Sequence, residues 1–218
     1  MCFAPEADVA TAVVVGALGI DAWRHVGHAR ERPLAALPLV LAAHQLIQAF
    51  VWWGLRGEIP SPVWRTASWL YLAIAFGVLP VLVPVAVEAL EQAPRRPRMT
   101  VFVALGAVVA AVLMYGIVRG PIDARIEGHH IAYVVDLWHG GFVTALYVIA
   151  TCGALLASHR RYVRRFGAVN LVAVVVLARL DADAFISLWC AWAAVLSIAI
   201  SLHLRSRSPP KGPFRVAG

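Results

Sequence analysis

Residues 34–55 read LAALPLVLAAHQLIQAFVWWGL. No charged residue interrupts the stretch. As an α-helix it would span roughly 33 Å at about 1.5 Å per residue, enough to cross a bilayer core of about 30 Å. It is not uniformly apolar, because His44, Gln45 and Gln48 sit within it and Trp52 and Trp53 near its end. An unpaired polar group in hydrocarbon costs several kcal/mol, so such groups turn toward other helices. His44, Gln48 and Trp52 recur at i, i+4 and i+8 and share one helix face. Leu46, Phe50 and Trp53 fall on another, suited to lipid. The tryptophans also mark an interfacial belt.

The rest of the chain repeats the pattern. Further apolar runs lie near 8–24, 66–90, 99–118, 131–157, 164–180 and 184–204, giving seven candidate spans in 218 residues. With 61% hydrophobic and 14% charged residues, a soluble domain of this length could not cover its surface. The third run contains LPVLVP, where Pro80 and Pro84 remove backbone donors and predict a kink. The sixth is short, so Arg164 and Arg165 are expected to snorkel. MCFAPEAD at the start has no basic n-region and does not read as a cleaved signal peptide. No internal repeat is evident. Residues 1–205 read as one seven-helix transmembrane domain, and 206–218 as a disordered basic tail.

Charge orients the bundle. Arg24, Arg30 and Arg32, then Arg95, Arg96 and Arg98, then Arg160, Arg161, Arg164 and Arg165, and finally Arg205, Arg207, Lys211 and Arg215 fall on one side: 14 of the 19 basic residues. Arg56, Arg65, Arg119, Arg125 and Arg179 fall on the other. Cytoplasmic loops are the basic ones. The expectation is therefore an all-α polytopic membrane protein with its N-terminus outside and its C-terminus in the cytoplasm. A net charge of +7 can also signal nucleic-acid binding. Arginines spaced between spans fit topology instead, and no nucleic-acid partner is expected. Glu6, Asp8, Glu58, Asp123, Glu127, Asp181 and Asp183 all fall on the outer side, with His129 and His130. Loop solvation accounts for them more simply than a cation-attracting vestibule.

Depth along each helix brings further polar residues into register. His44 lies roughly 16 Å below Leu55, and His139 roughly 14 Å below His130 if HHIAYVVDLWHGGF is helical throughout. Asn170 falls near the same level and Cys190, in SLWCAW, slightly outward. Asp136, three residues before His139, either fixes the imidazole tautomer or is a surface acid near the interface. Three roles are open for His44, Gln45, Gln48, His139 and Asn170: hydrogen-bonded glue between helices, the lining of a pathway for a small molecule or ion, or ligation of zinc, copper or b-type haem. Cys2 and Cys190 would join His44 and His139 as ligands in the last case, but no HxxxH, HExxH or CxxC spacing supports it. The two cysteines also lie on the oxidising side and can pair if their Cα atoms approach within about 7 Å. Cys152 has no evident partner.

MCFAPEAD, AHQLIQAFVWWGL, LPVLVP, LYVIATCGALL and FISLWCAWAAVLS, in this order, resemble an uncharacterised family of bacterial membrane proteins, domain of unknown function 6629, whose members typically open MCFS. The resemblance covers essentially the whole chain. It implies a multi-span fold in a bacterial plasma membrane, and no particular activity. It places Cys2, Phe3, His44, Gln45, Trp52, Ser187, Trp189 and Cys190 among the family's motif residues. Ala4 stands where the family usually has serine, and Gln48 where it often has glutamate, which lowers the case for acid–base chemistry in the second span. A likeness to seven-span zinc amidohydrolases of the alkaline ceramidase type stops at span count and intramembrane histidines, since the last span holds only His203.

The leading expectation is a non-enzymatic module that binds, senses or transports a small molecule or ion. Its polar cavity would open outward, lined by His44, Gln45, Gln48, Trp52, Asp136, His139, Asn170, Ser187 and Cys190. The rival is a metal- or haem-dependent enzyme or redox protein using His44 and His139.

Overall fold

A computed structural model describes residues 4–92, 94, 96–128, 130–135, 140–179 and 182–207, with side chains throughout except at 130, 177–179 and 182–191. Its helices follow the apolar runs. They are α1 (Pro5–Arg24), α2 (Arg32–Leu55), α3 (Ser61–Leu90), α4 (Arg96–Arg119), α5 (Gly140–Ala157), α6 (Arg161–Arg179) and α7 (Ala182–Arg207). A short 3₁₀ turn, Ala29–Glu31, leads into α2. Among the described residues, four helical stretches are long and apolar enough to cross a membrane: Ala29–Leu55, Ser61–Leu90, Arg96–Arg119 and Gly140–Ala157.

Two helices carry the polar interior. Proline suits the first turn of a helix, where its missing N–H has no role, and both α1 and α2 begin with one. Asp8, Ala12, Val15, Gly19 and Ala22 form the buried stripe of α1. Gly16 meets Ala42, Gly19 packs on Leu39, and Ala22 and Ala35 share a buried cluster, so α1 and α2 run antiparallel in close contact. That pairing places Asp8 toward the Trp52 end of α2.

The prolines of α3 coincide with a change of helical register. Ala73–Val78 winds as a π-helical turn ahead of Leu79–Leu90. In that i→i+5 register the Ala75 carbonyl would accept from residue 80, and Pro80 has no N–H to give. The Tyr147 hydroxyl of α5 donates to it instead, at 3.1 Å. Pro84 likewise leaves the Pro80 carbonyl without an intrahelical donor. Gly106 of α4 backs directly onto that oxygen, with no room for a Cβ. Neighbouring helices thus cover what the prolines leave bare.

The fifth expected span needs correction. Helix does not begin at 131: Ile122–Glu127 (β1) and His130–Val135 (β2) form an antiparallel hairpin, and α5 starts only at Gly140. Gly128, at φ 57°, takes the left-handed turn position. Ala124 faces Tyr133 across the hairpin, and with Ile131 they pack on Val51, Trp52 and Ala67. The hairpin is a cap over the ends of α2 and α3, and the helical depth reckoned for His139 does not apply.

At the opposite end the arginine-rich connectors gather. Arg160 donates twice to the Leu90 carbonyl, at 2.9 and 2.6 Å. The buried Glu91 accepts from the Ser158 hydroxyl at 2.5 Å and from the His159 amide at 3.1 Å. His28, Arg30, Glu31, Leu90 and Arg160 border one small recess. Asp21, near the end of α1, accepts from Ser201 and from Arg205 near the end of α7. The α1–α2, α3–α4 and α5–α6 connectors and the end of α7 therefore share one face. Helix continues through Arg207, so residues 206 and 207 of the expected tail are helical; residues 208–218 lie outside the described residues.

Candidate functional site

Beneath the hairpin lies a cluster of buried polar side chains. His44, Gln45, Gln48 and Trp52 of α2 are each almost fully buried, as their spacing requires, while Leu46 and Phe50 are exposed on the other face. Asp8 of α1 is completely buried. Tyr71, two residues before the π-helical turn of α3, lies flat on His44 with 3.9 Å between ring centroids and 19° between planes. Tyr133 of β2 continues the stack, 4.8 Å from Tyr71 and inclined by 14°. The Trp52 indole N–H lies beside the Asp8 carboxylate but does not close a hydrogen bond to it. Tyr71 and Tyr133 both lie near enough to feel that carboxylate's charge. Burial, and then the neighbouring Tyr71 and Asp8, push the Tyr133 phenol well above its ordinary pKa. It is a neutral hydroxyl that can donate or accept.

Five buried side-chain atoms among the described residues lack a hydrogen-bond partner: both Asp8 carboxylate oxygens, His44 Nε2, Trp52 Nε1 and the Tyr133 hydroxyl. All belong to this one cluster. Nearly all buried polar groups in proteins are paired, and an orphan costs about 1–3 kcal/mol, more if charged. The set offers a carboxylate and an imidazole nitrogen, an indole donor and a hydroxyl, walled by aromatic faces. It can receive a small group that both donates and accepts hydrogen bonds, or a cation, which carboxylates and aromatic faces both favour.

The residues expected from sequence divide into three groups. His44, Gln45, Gln48 and Trp52 are all buried on α2. Asn170 belongs to a second network: its amide donates to the Cys152 thiol at 3.3 Å and accepts from Trp192 Nε1 at 2.7 Å. Cys152 thus has a partner after all, and α5, α6 and α7 are tied through Asn170 as glue. Asp136, His139 and Cys2 lie outside the described residues, as do the side chains of Ser187 and Cys190; the proposed Cys2–Cys190 pairing falls with them. Among the described residues, no three His, Cys, Asp or Glu side chains converge as a metal site.

The orphaned atoms are packed with no accessible surface. A space of about 550 Å³ lies instead between α2, α3, α5, α6 and α7, lined mainly by aliphatic side chains such as Leu34, Val87 and Leu155 and reaching Tyr162, His203 and Ser206 at the basic end.

Sequence reading missed Asp8, Tyr71 and Tyr133. Asp8 was legible: positions 8, 12, 15, 19 and 22 make a helical stripe, and an acid on it faces inward. Tyr71 and Tyr133 carry no comparable signal, since their contact depends on the hairpin folding over α3.

The chain matches the model of a family described as a family of unknown function (DUF6629) over residues 1–214, and it belongs to that family. No curated protein and no solved structure matches it.

Proposed function

We propose that this family member is a multi-pass membrane protein that crosses the bilayer seven times and holds a small solute or ion at the Asp8–His44 cluster, near its outer face. The gathering of the arginine-rich connectors at one end supports the threading, because a helical bundle alternating direction seven times with that end in the cytoplasm obeys the positive-inside rule. The compartment that fits is a bacterial plasma membrane.

The observation that carries the binding role is the confinement of the five unpartnered buried polar atoms to one aromatic-walled cluster. A ligand bound there would supply the missing partners. The packed arrangement is an occluded form, and entry requires the hairpin over Trp52 and Tyr133 to shift. His44 and Gln48 on one face of α2 and Asp8 on α1 would be the polar contacts.

Trp52 provides the readout. The purified protein in detergent is titrated with sodium, potassium, ammonium, zinc and copper(II) salts while tryptophan emission is followed, and its absorbance spectrum and bound metals are measured. A saturable emission change lost in both Asp8→Asn and His44→Ala supports the reading. A response identical in wild type and both variants, or none at all, counts against a cation at this site. A Soret band, or stoichiometric zinc or copper lost in His44→Ala, would instead favour metal or haem chemistry using His44 and His139.

A further inference from the structure

Asp8 supplies the one carboxyl group of the buried cluster, and neither of its oxygens has a hydrogen-bond partner. The other members are His44, Gln45, Gln48 and Trp52 of α2, Tyr71 of α3 and Tyr133 of β2. Of these, only His44 and the two phenols titrate. His44 Nε2 is also unpartnered, so the imidazole and the carboxyl group are not bonded to each other. Two charged groups stand outside. Arg56 lies over the Trp52 ring, 5.5 Å from its centroid, and is exposed, as is Glu6 on α1. The charge of the chain's α-amino group also reaches Asp8; Met1 itself, and the side chains at this end of α7, lie outside the described residues.

This packing limits the charge the cluster can hold. The orphaned atoms have no accessible surface, which leaves no room for a counter-ion beside the carboxyl group while the hairpin is docked. A lone buried charge costs several kcal/mol even after its surroundings relax. Two net-neutral states remain: Asp8 protonated with nothing bound, or Asp8 ionised against one monovalent cation. A proton occupies no volume, so the packed form suits the first. An ionised Asp8 with a protonated His44 would also sum to zero, but with two buried charges that do not touch. A divalent cation would leave one positive charge over.

We propose that the Asp8 site exchanges one proton for one monovalent cation. Asp8 holds the proton in the closed form. When the hairpin shifts, the carboxyl O–H bond breaks, the proton passes to the outer solution, and the carboxylate takes the cation in its place. The inference rests on the cation reading of this site and adds the proton and the single charge.

The full-length protein in detergent and weak buffer is titrated with sodium, potassium and magnesium chloride. Binding is followed by tryptophan emission, proton release by an indicator dye, and the carboxyl group by infrared spectroscopy. Without cation, the wild type is expected to show the carbonyl band of a protonated carboxylic acid that Asp8→Asn lacks. Saturation with sodium or potassium should remove that band and release one proton per cation. Apparent affinity should fall about tenfold for each pH unit on the acid side. Magnesium should do none of this. If Asp8→Asn fails to fold, loss of the band in the wild type on saturation carries the same test. Cation binding without proton release overturns the exchange and leaves the cation site standing, whereas absence of binding ends both. An infrared spectrum identical in wild type and folded Asp8→Asn overturns the proposal, because Asp8 would then be ionised in the closed form. So does a band that appears only when an N-terminal extension moves the α-amino group away, which would make that group the counter-ion. Magnesium binding as tightly as sodium and potassium overturns the monovalent class.

Discussion

His44 and Tyr71 lie ring on ring, 3.9 Å apart between centroids, with Tyr133 stacked beyond Tyr71. The stack fixes the imidazole edge while leaving Nε2 without a partner. Packing and polarity can therefore be separated by mutation. His44→Phe keeps the stack and removes the orphaned nitrogen, so it should unfold at or above the wild-type temperature while losing any response to ligand. His44→Ala removes the ring and should cost about 2–4 kcal/mol, as large-to-small core changes do. Thermal unfolding in detergent, followed by circular dichroism, distinguishes the two. A destabilised His44→Phe would mean that Nε2 does structural work.

Asp8 gives a sharper form of the same test. A buried carboxyl group without a hydrogen-bond partner destabilises the empty protein. Asp8→Asn should leave stability unchanged or raise it by about 1 kcal/mol, and abolish cation binding. Residues kept for binding commonly cost stability in this way. A large loss of stability in Asp8→Asn would show that the acid holds the fold together.

The proline-broken stretch of α3 predicts two specific losses. Tyr147→Phe strips the donor from the Ala75 carbonyl and should cost about 1 kcal/mol, in the range seen for hydrogen bonds between membrane helices. Gly106→Ala forces a methyl group onto the Pro80 carbonyl and should cost about 1–3 kcal/mol, as overpacking does. Gly141→Ala, with open space around it, is the control and should be silent. Chemical denaturation of the three variants side by side checks the order.

Two contacts at the basic end should differ in weight. The Asp21–Arg205 pair, closing at 2.6 and 2.7 Å with the arginine exposed, should contribute little and weaken as salt rises. The buried Glu91 is different, because Glu91→Ala strands the Ser158 hydroxyl and the His159 amide. It should cost about 1–3 kcal/mol with little salt dependence. Unfolding at low and high salt separates them.

Much of this architecture was legible in the sequence because hydrocarbon imposes long apolar helices and arginine marks one set of connectors. The stripe of His44, Gln48 and Trp52 followed from helical periodicity, and its burial bears that out. The hairpin was missed although IDARIE alternates apolar and polar residues with a strand's period. Its partner, HIAYVV, is apolar enough to merge with the helix that follows. Asn170 was placed by depth alone, and depth does not fix which face of a helix a residue occupies. Asn170 turns to Cys152 and Trp192. The stacking of Tyr133 on Tyr71 joins residues 62 positions apart in the chain through the hairpin fold, which no local pattern encodes.

The threading is tested most directly by the location of the two chain ends. Reporters fused to each terminus, or single cysteines there labelled by an impermeant reagent, should find the N-terminus outside and the C-terminus in the cytoplasm. Both ends on one side would require an even number of crossings. The basic connectors could not then share the cytoplasmic face, and the solute site could not open outward.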